Sequence, residues 1–206
     1  MRTRIVLGFA SSLLVLVPAC PIPDAVGKKV VEAVAVDENG TPDPSIPPQV
    51  LNDHAIILDN DGKPEEALRF YDAALERYPE DDARGRSVCL FNKGLTLRRM
   101  GRWQESVDAY AAAYALEPKS GIAINISMPL YELGRVDEAV AYLDRELAEH
   151  PDDIRLVETK AAVLRDSERH SEARPIAEHA LALRERAGGR DDQGHAAVWR
   201  AYLAEH

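Results

Sequence analysis

Aromatic residues are scarce in this 206-residue chain: 2 Trp, 7 Tyr and 3 Phe make up 6% of it. The apolar content is mostly Ala, Val and Leu, which suits close-packed helices better than sheets. The expected class is all-α. Cysteine is rarer still, and Cys20 and Cys89 alone exclude a disulfide-dense scaffold. Basic charge is outweighed, with 25 Lys+Arg against 35 Asp+Glu. The net charge of −10 removes the basic face that phosphate recognition needs, so no nucleic-acid partner is expected. The apolar run from Ile5 to Val17 has 13 residues, short of the about 20 that cross a bilayer.

Recognisable chemistry is missing too. No G-x-S-x-G, Walker loop or dinucleotide fingerprint occurs. The six His (54, 150, 170, 179, 195 and 206) never stand four apart, the spacing of a helical metal site. Glu65-Glu66 and Asp137-Glu138 open helices, where the helix dipole favours acids. Cys89, three residues after Arg86, reads as a small apolar filler of a repeat. Neither catalysis, a metal, a cofactor nor a small-molecule substrate is expected.

What is present begins with a targeting segment. Arg2 and Arg4, the 13-residue apolar run and the small Ala19 are the three parts of a secretory signal, so residues 1–19 are read as a signal peptide. Leu16-Val17-Pro18-Ala19-Cys20 resembles a bacterial lipobox, which implies acylation of Cys20 and a membrane anchor. Val17-Pro18-Ala19 also fits an ordinary signal-peptidase site, giving a soluble periplasmic or secreted protein in which Cys20 and Cys89 could pair. Pro21 after the Cys resembles sorting to the outer membrane. Six of the 13 prolines fall within 21–48, so 20–47 reads as an extended tether, with Ala25 to Val36 a short helix or strand.

Self-similarity then decides the fold. Gly62, Gly101 and Gly134 are each followed 17 residues later by Pro79, Pro118 and Pro151. The prolines are spaced 39 and then 33 residues apart, a period near 34 with about five extra residues at Asp82 to Arg86. Leu90, Gly94 and Leu97, then Trp103, Ser106, Tyr110 and Ala113, fill the large and small slots of the best unit. This resembles the tetratricopeptide repeat, implying a right-handed superhelical stack of antiparallel helix pairs. Four units are expected at 48–81, 87–119, 120–153 and 154–187, followed by a capping helix within 188–206. The fourth has Glu168 where the others have Gly, and Pro129 should kink or shorten a helix of the third.

The resemblance also implies a site. First helices of such repeats line a groove for an extended peptide or partner helix. The register carries there Asn52, Ile56 and Asp59, then Phe91, Asn92, Leu95 and Arg98, then Ile124, Asn125, Met128 and Tyr131, with Glu158 and Arg165. Asn92 and Asn125 share a slot in which Asn can hold a peptide backbone, while Phe91, Leu95, Ile124 and Met128 would bury its side chains. The Lys and Asn set that clamps a terminal carboxylate in chaperone-binding members is not reproduced. Charge alternates along the chain, −10 over 37–82, +4 over 83–119 and −6 over 120–153. Arg98, Arg99 and Arg102 suit a helix C-terminus and could equally face the acidic first unit or an acidic partner.

The expected role is a lipid-anchored envelope scaffold of a secretion, pilus or outer-membrane biogenesis assembly. The alternative is a permanent accessory subunit of a cell-wall enzyme. Acylation is directly testable: radiolabelled palmitate is expected to enter the wild type and not Cys20→Ala, and equal labelling of both, or of neither, rejects the anchor.

Overall fold

The computed structural model describes residues 34–38, 40–188 and 190–206. The signal peptide, Cys20 and most of the tether lie outside the described residues. Among the described residues, nine helices form four antiparallel pairs and one more. The pairs are α1 (Pro48–Asn60) with α2 (Pro64–Arg77), α3 (Ala83–Arg99) with α4 (Trp103–Leu116), α5 (Ser120–Glu132) with α6 (Val136–Glu149), and α7 (Ile154–Asp166) with α8 (His170–Ala187). The last helix is α9 (Arg190–Glu205). Among the described residues the sole β feature is an isolated antiparallel bridge between Val36 and Pro42. None of the helices there is long and apolar enough to cross a membrane.

Each pair closes on one small residue. Ala55, Gly94, Ser127 and Ala161 occupy one slot of the first helices, facing Tyr71, Tyr110, Leu143 and Ala177 of the second, and all are buried. A Cβ added at Gly94 would stand 2.8 Å from Cδ1 and Cε1 of Tyr110. Ser106 completes that contact by donating its hydroxyl to the Gly94 carbonyl at 2.9 Å. The turn between paired helices is equally repetitive: Gly62, Gly101 and Gly134 have φ of 78°, 72° and 73°. Glu168 adopts the same left-handed conformation at φ 58°, so the fourth pair turns as the others do, at a cost of about 1–2 kcal/mol for a non-glycine residue.

Three expectations are revised. The five extra residues, placed before the second unit at 87, belong to its first helix: Asp82 caps α3 by accepting the Gly85 N–H at 2.8 Å, and the helix begins at Ala83. Pro129 leaves α5 with 13 residues, as many as α1 and α7, because a proline in the last turn removes a single backbone bond. Residues 34–47 are not a free spacer. Arg77 donates to the carbonyls of Pro42 (2.9 Å), Asp43 (2.9 Å) and Ile46 (3.1 Å), and Val34 and Ile46 pack on the first pair. This strap covers one end of the stack.

The other end is covered by α9. Trp199 and Tyr202 bury themselves among Val157, Ala161, Leu164 and the alanines of α8. Trp199 Nε1 donates to Glu158 Oε1 at 3.1 Å, and Arg184 Nε donates to the same carboxylate at 2.8 Å. One buried acid thus ties α7, α8 and α9 together.

The slot at Gly94 allows a quantitative test. Gly94→Ala gains about 1 kcal/mol of helix propensity but overpacks a fully buried Tyr, which costs about 1–3 kcal/mol. The expected net effect is a loss of stability, read as a lower urea midpoint with unchanged helical circular dichroism; an unchanged or raised midpoint would contradict the close-contact account.

Candidate functional site on the inner face

First helices touch first helices: α1 meets α3, α3 meets α5 and α5 meets α7, whereas α2, α4, α6 and α8 do not meet one another. A stack linked this way curves toward its first helices, which form the inner face. The register places every predicted groove residue on these helices. Their exposure differs sharply from the expectation.

Asn52, Ile56, Asn92, Leu95, Ile124 and Asn125 are all buried. Asn92 Nδ2 donates to Asn52 Oδ1 at 3.1 Å, and Asn52 Nδ2 donates to Asp53 Oδ1 at 3.3 Å. Asn125 Nδ2 returns to the Gly121 carbonyl, one turn back in its own helix, at 2.8 Å. The two slot-sharing Asn are therefore engaged inside the protein and are not the solvent-facing pair the register suggested. Burial of the inner face also pushes the Asp53 carboxyl above its ordinary range, the bond from Asn52 opposing this.

The accessible part of the face is a narrower set. Phe91, Arg98, Met128 and Tyr131 are half-buried, and Val88, one turn before Phe91, is 43% exposed. Tyr131 donates its hydroxyl to the Asp166 carbonyl at 3.2 Å and so bridges α5 to the end of α7. Asp59 accepts from Thr96 Oγ1 at 2.5 Å and pairs with Arg99, which ties α1 to α3. Glu158, expected in the groove, is instead the buried acid beneath α9, and Arg165 lies over the Trp199 ring at 5.4 Å. The open reach of the face thus runs from α1 to the start of α7 and is closed beyond it by Trp199 and Val198. Val88 was legible as the residue three before Phe91; the closure by α9 was not.

Cys89 is fully buried on α3, and its thiol donates to the Tyr71 carbonyl at 3.6 Å. Burial pushes this thiol up to about 12. A bridge to Cys20, which lies outside the described residues, would require α2 and α3 to part.

Models of the tetratricopeptide repeat match residues 48–119 and 159–194, together just over half of the chain. The chain belongs to the tetratricopeptide repeat family. Solved structures agree on the fold at low identity. A tetratricopeptide repeat protein from Parabacteroides merdae is 20% identical with a TM-score of 0.64, over 76% of this chain and 58% of that one. MamA of Desulfovibrio magneticus is 18% identical with a TM-score of 0.54, over 77% of this chain and 93% of that one. YrrB, described as having an unusual peptide-binding site, is 21% identical with a TM-score of 0.53, over 74% of this chain and 76% of that one. No curated protein matches the sequence.

The two slot-sharing Asn are expected to behave differently when truncated. Asn92→Ala leaves the buried amide oxygen of Asn52 without its donor, a loss of about 1–3 kcal/mol. Asn125→Ala removes only a second bond to a helix carbonyl and adds a better helix former, for a change within about 0.5 kcal/mol. Chemical denaturation of the two variants checks this, and equal losses would contradict the bonding pattern.

Proposed function

We propose that this chain is an exported scaffold, held at the cell envelope by lipid on Cys20, whose inner face grips an extended segment of a protein partner in a secretion, pilus or outer-membrane biogenesis assembly. The observation that carries the binding role is the apolar strip left accessible on α3 and α5. Val88 and Phe91 near the start of α3, and Met128 and Tyr131 near the end of α5, remain exposed or half-buried on two neighbouring first helices. Asn52, Asn92 and Asn125 take the part of a floor: the Asn92–Asn52 bond ties α3 to α1, and Asn125 is spent on its own helix. YrrB, with the same fold and a peptide-binding site, supports the use of such a surface for peptide capture. Export and anchoring are supported by the basic start, the 13-residue apolar run and the lipobox-like end of the leader.

Site-specific photo-crosslinking in the native host tests the reading. A crosslinker at Val88 or Met128 is expected to trap a discrete protein in the membrane fraction, whereas one at Glu76, exposed on α2, is not. Phe91→Asp should abolish trapping while leaving the circular dichroism melt within a few degrees. Trapping at Glu76 alone would place the partner on the outer face and reject the proposal.

A further inference from the structure

The end of α3 carries three arginines, and the structure disposes of two. Arg99 pairs with Asp59 of the first repeat. Arg102 pairs with Glu105 in its own helix pair. Arg98 has no carboxylate in ion-pair range among the described residues. Its Nη1 instead points at the Met128 sulfur, 3.4 Å away on α5, and its other polar neighbour is the neutral Tyr110 hydroxyl, so no anion compensates its charge. A half-buried guanidinium whose neighbours are all neutral is costly unless an anion joins it. Water can satisfy the N–H groups but leaves the charge uncompensated.

A second cation on the same face behaves alike. Arg155 lies three residues before Glu158, as Val88 lies three before Phe91, which puts it on the inner side of α7. It stands in the first turn, where the helix dipole disfavours positive charge, and no carboxylate pairs with it among the described residues. The remaining charges here are largely self-compensated: Asp59 with Arg99, Arg165 with Asp166, and Glu158 with Arg184. Asp53 at the α1 edge accepts from Asn52, and Glu132 is exposed at the end of α5. In a chain of net charge −10, the stretch from α3 to α7 therefore offers unpaired cations to whatever enters.

We infer that the segment held on the inner face is acidic, and that Arg98 is its specificity-determining contact, pairing with an Asp or Glu side chain of the partner while Val88, Phe91 and Met128 take flanking apolar side chains. This rests on the inner-face reading given above. Arg98 suits the role because its planar fork can grip a carboxylate through two N–H groups, and the low-dielectric surround strengthens the pair. Two bonds of this kind also discriminate: a partner offering Gln or Lys at that point would leave the charge of the half-buried guanidinium unmatched.

The probe is a library of random 12-residue peptides displayed without a free C-terminal carboxylate, selected on the wild type, on Arg98→Gln and on Phe91→Asp. Selection on the wild type is expected to enrich Asp or Glu between apolar residues, and selection on Arg98→Gln to lose that acidic preference. The leading peptide should bind Arg98→Gln about 10- to 100-fold more weakly than the wild type, with Arg98→Lys recovering part of the loss. Its affinity for the wild type should fall steeply with added salt. Circular dichroism melts establish that each variant is folded. Peptides with no acidic preference, or whose affinity survives Arg98→Gln, overturn the assignment of Arg98. If those same peptides fail on Phe91→Asp, the inner face still binds; if they bind Phe91→Asp as well, the inner-face reading falls with it.

Discussion

The stack depends on how closely two helices can approach at one point. Ala55, Gly94, Ser127 and Ala161 are small, buried residues in one slot of the pairs, and at Gly94 the second helix leaves no room for even a Cβ. That approach sets where the large residues go: Tyr71 and Tyr110 lie across the small slot and fill the space toward the next pair. Along the chain the opposing residue shrinks from Tyr to Leu to Ala177, and Trp199 of α9 joins the cluster around that last position. Each pair leaves an apolar side for its neighbour, so the ends must be closed. The Arg77 strap and the Glu158–Arg184–Trp199 lock close them.

Charge follows the same periodicity on the outside. Arg102, Arg135 and Arg169 each precede a second helix and pair with Glu105, Glu138 and Glu172 three residues on. Arg135 also donates to Gln104 at 3.0 Å, and Arg169 pairs with Asp137 at 2.5 Å, so these two arginines reach back to the pair before them. These contacts are exposed, and individually they contribute little. Their regular recurrence along one edge of the stack favours one relative orientation of successive pairs over rotated alternatives, which apolar packing alone specifies weakly.

The repeat was legible because its punctuation is chemical. Glycine at a left-handed turn and proline after the second helix are required by backbone geometry, so their fixed offset survives in the sequence. The fourth pair lacks both marks: Glu168 accepts a conformation glycine would adopt without strain, and Glu185 stands 17 residues later where the other pairs have proline. The length of α3 was hidden by composition: Asp82 to Arg86 is polar and stands outside the 34-residue period, yet Gly85 lets the Asp82 cap and the Tyr78 ring approach where a Cβ would meet both at 2.4 Å. The strap was hidden for another reason. Its anchors are backbone carbonyls gripped by a side chain more than 30 residues away, and carbonyls carry no sequence signal.

The site shows the same division more sharply. Register alone located the inner face, since residues in equivalent slots must share a side of the stack. It could not tell a floor from a contact surface. Asn92 and Asn125 occupy one slot and would look equivalent in any alignment of the repeats, but the first finds an acceptor on the neighbouring helix and the second turns back on its own. Arg98 and Arg99 are adjacent in sequence and alike in chemistry, yet one helix step of about 100° turns them to different neighbours. Arg99 reaches the acid of the preceding repeat; Arg98 meets Met128 of the following one. A carboxylate at position 128 would have neutralised Arg98 within the fold, and a thioether there leaves its charge available to a partner.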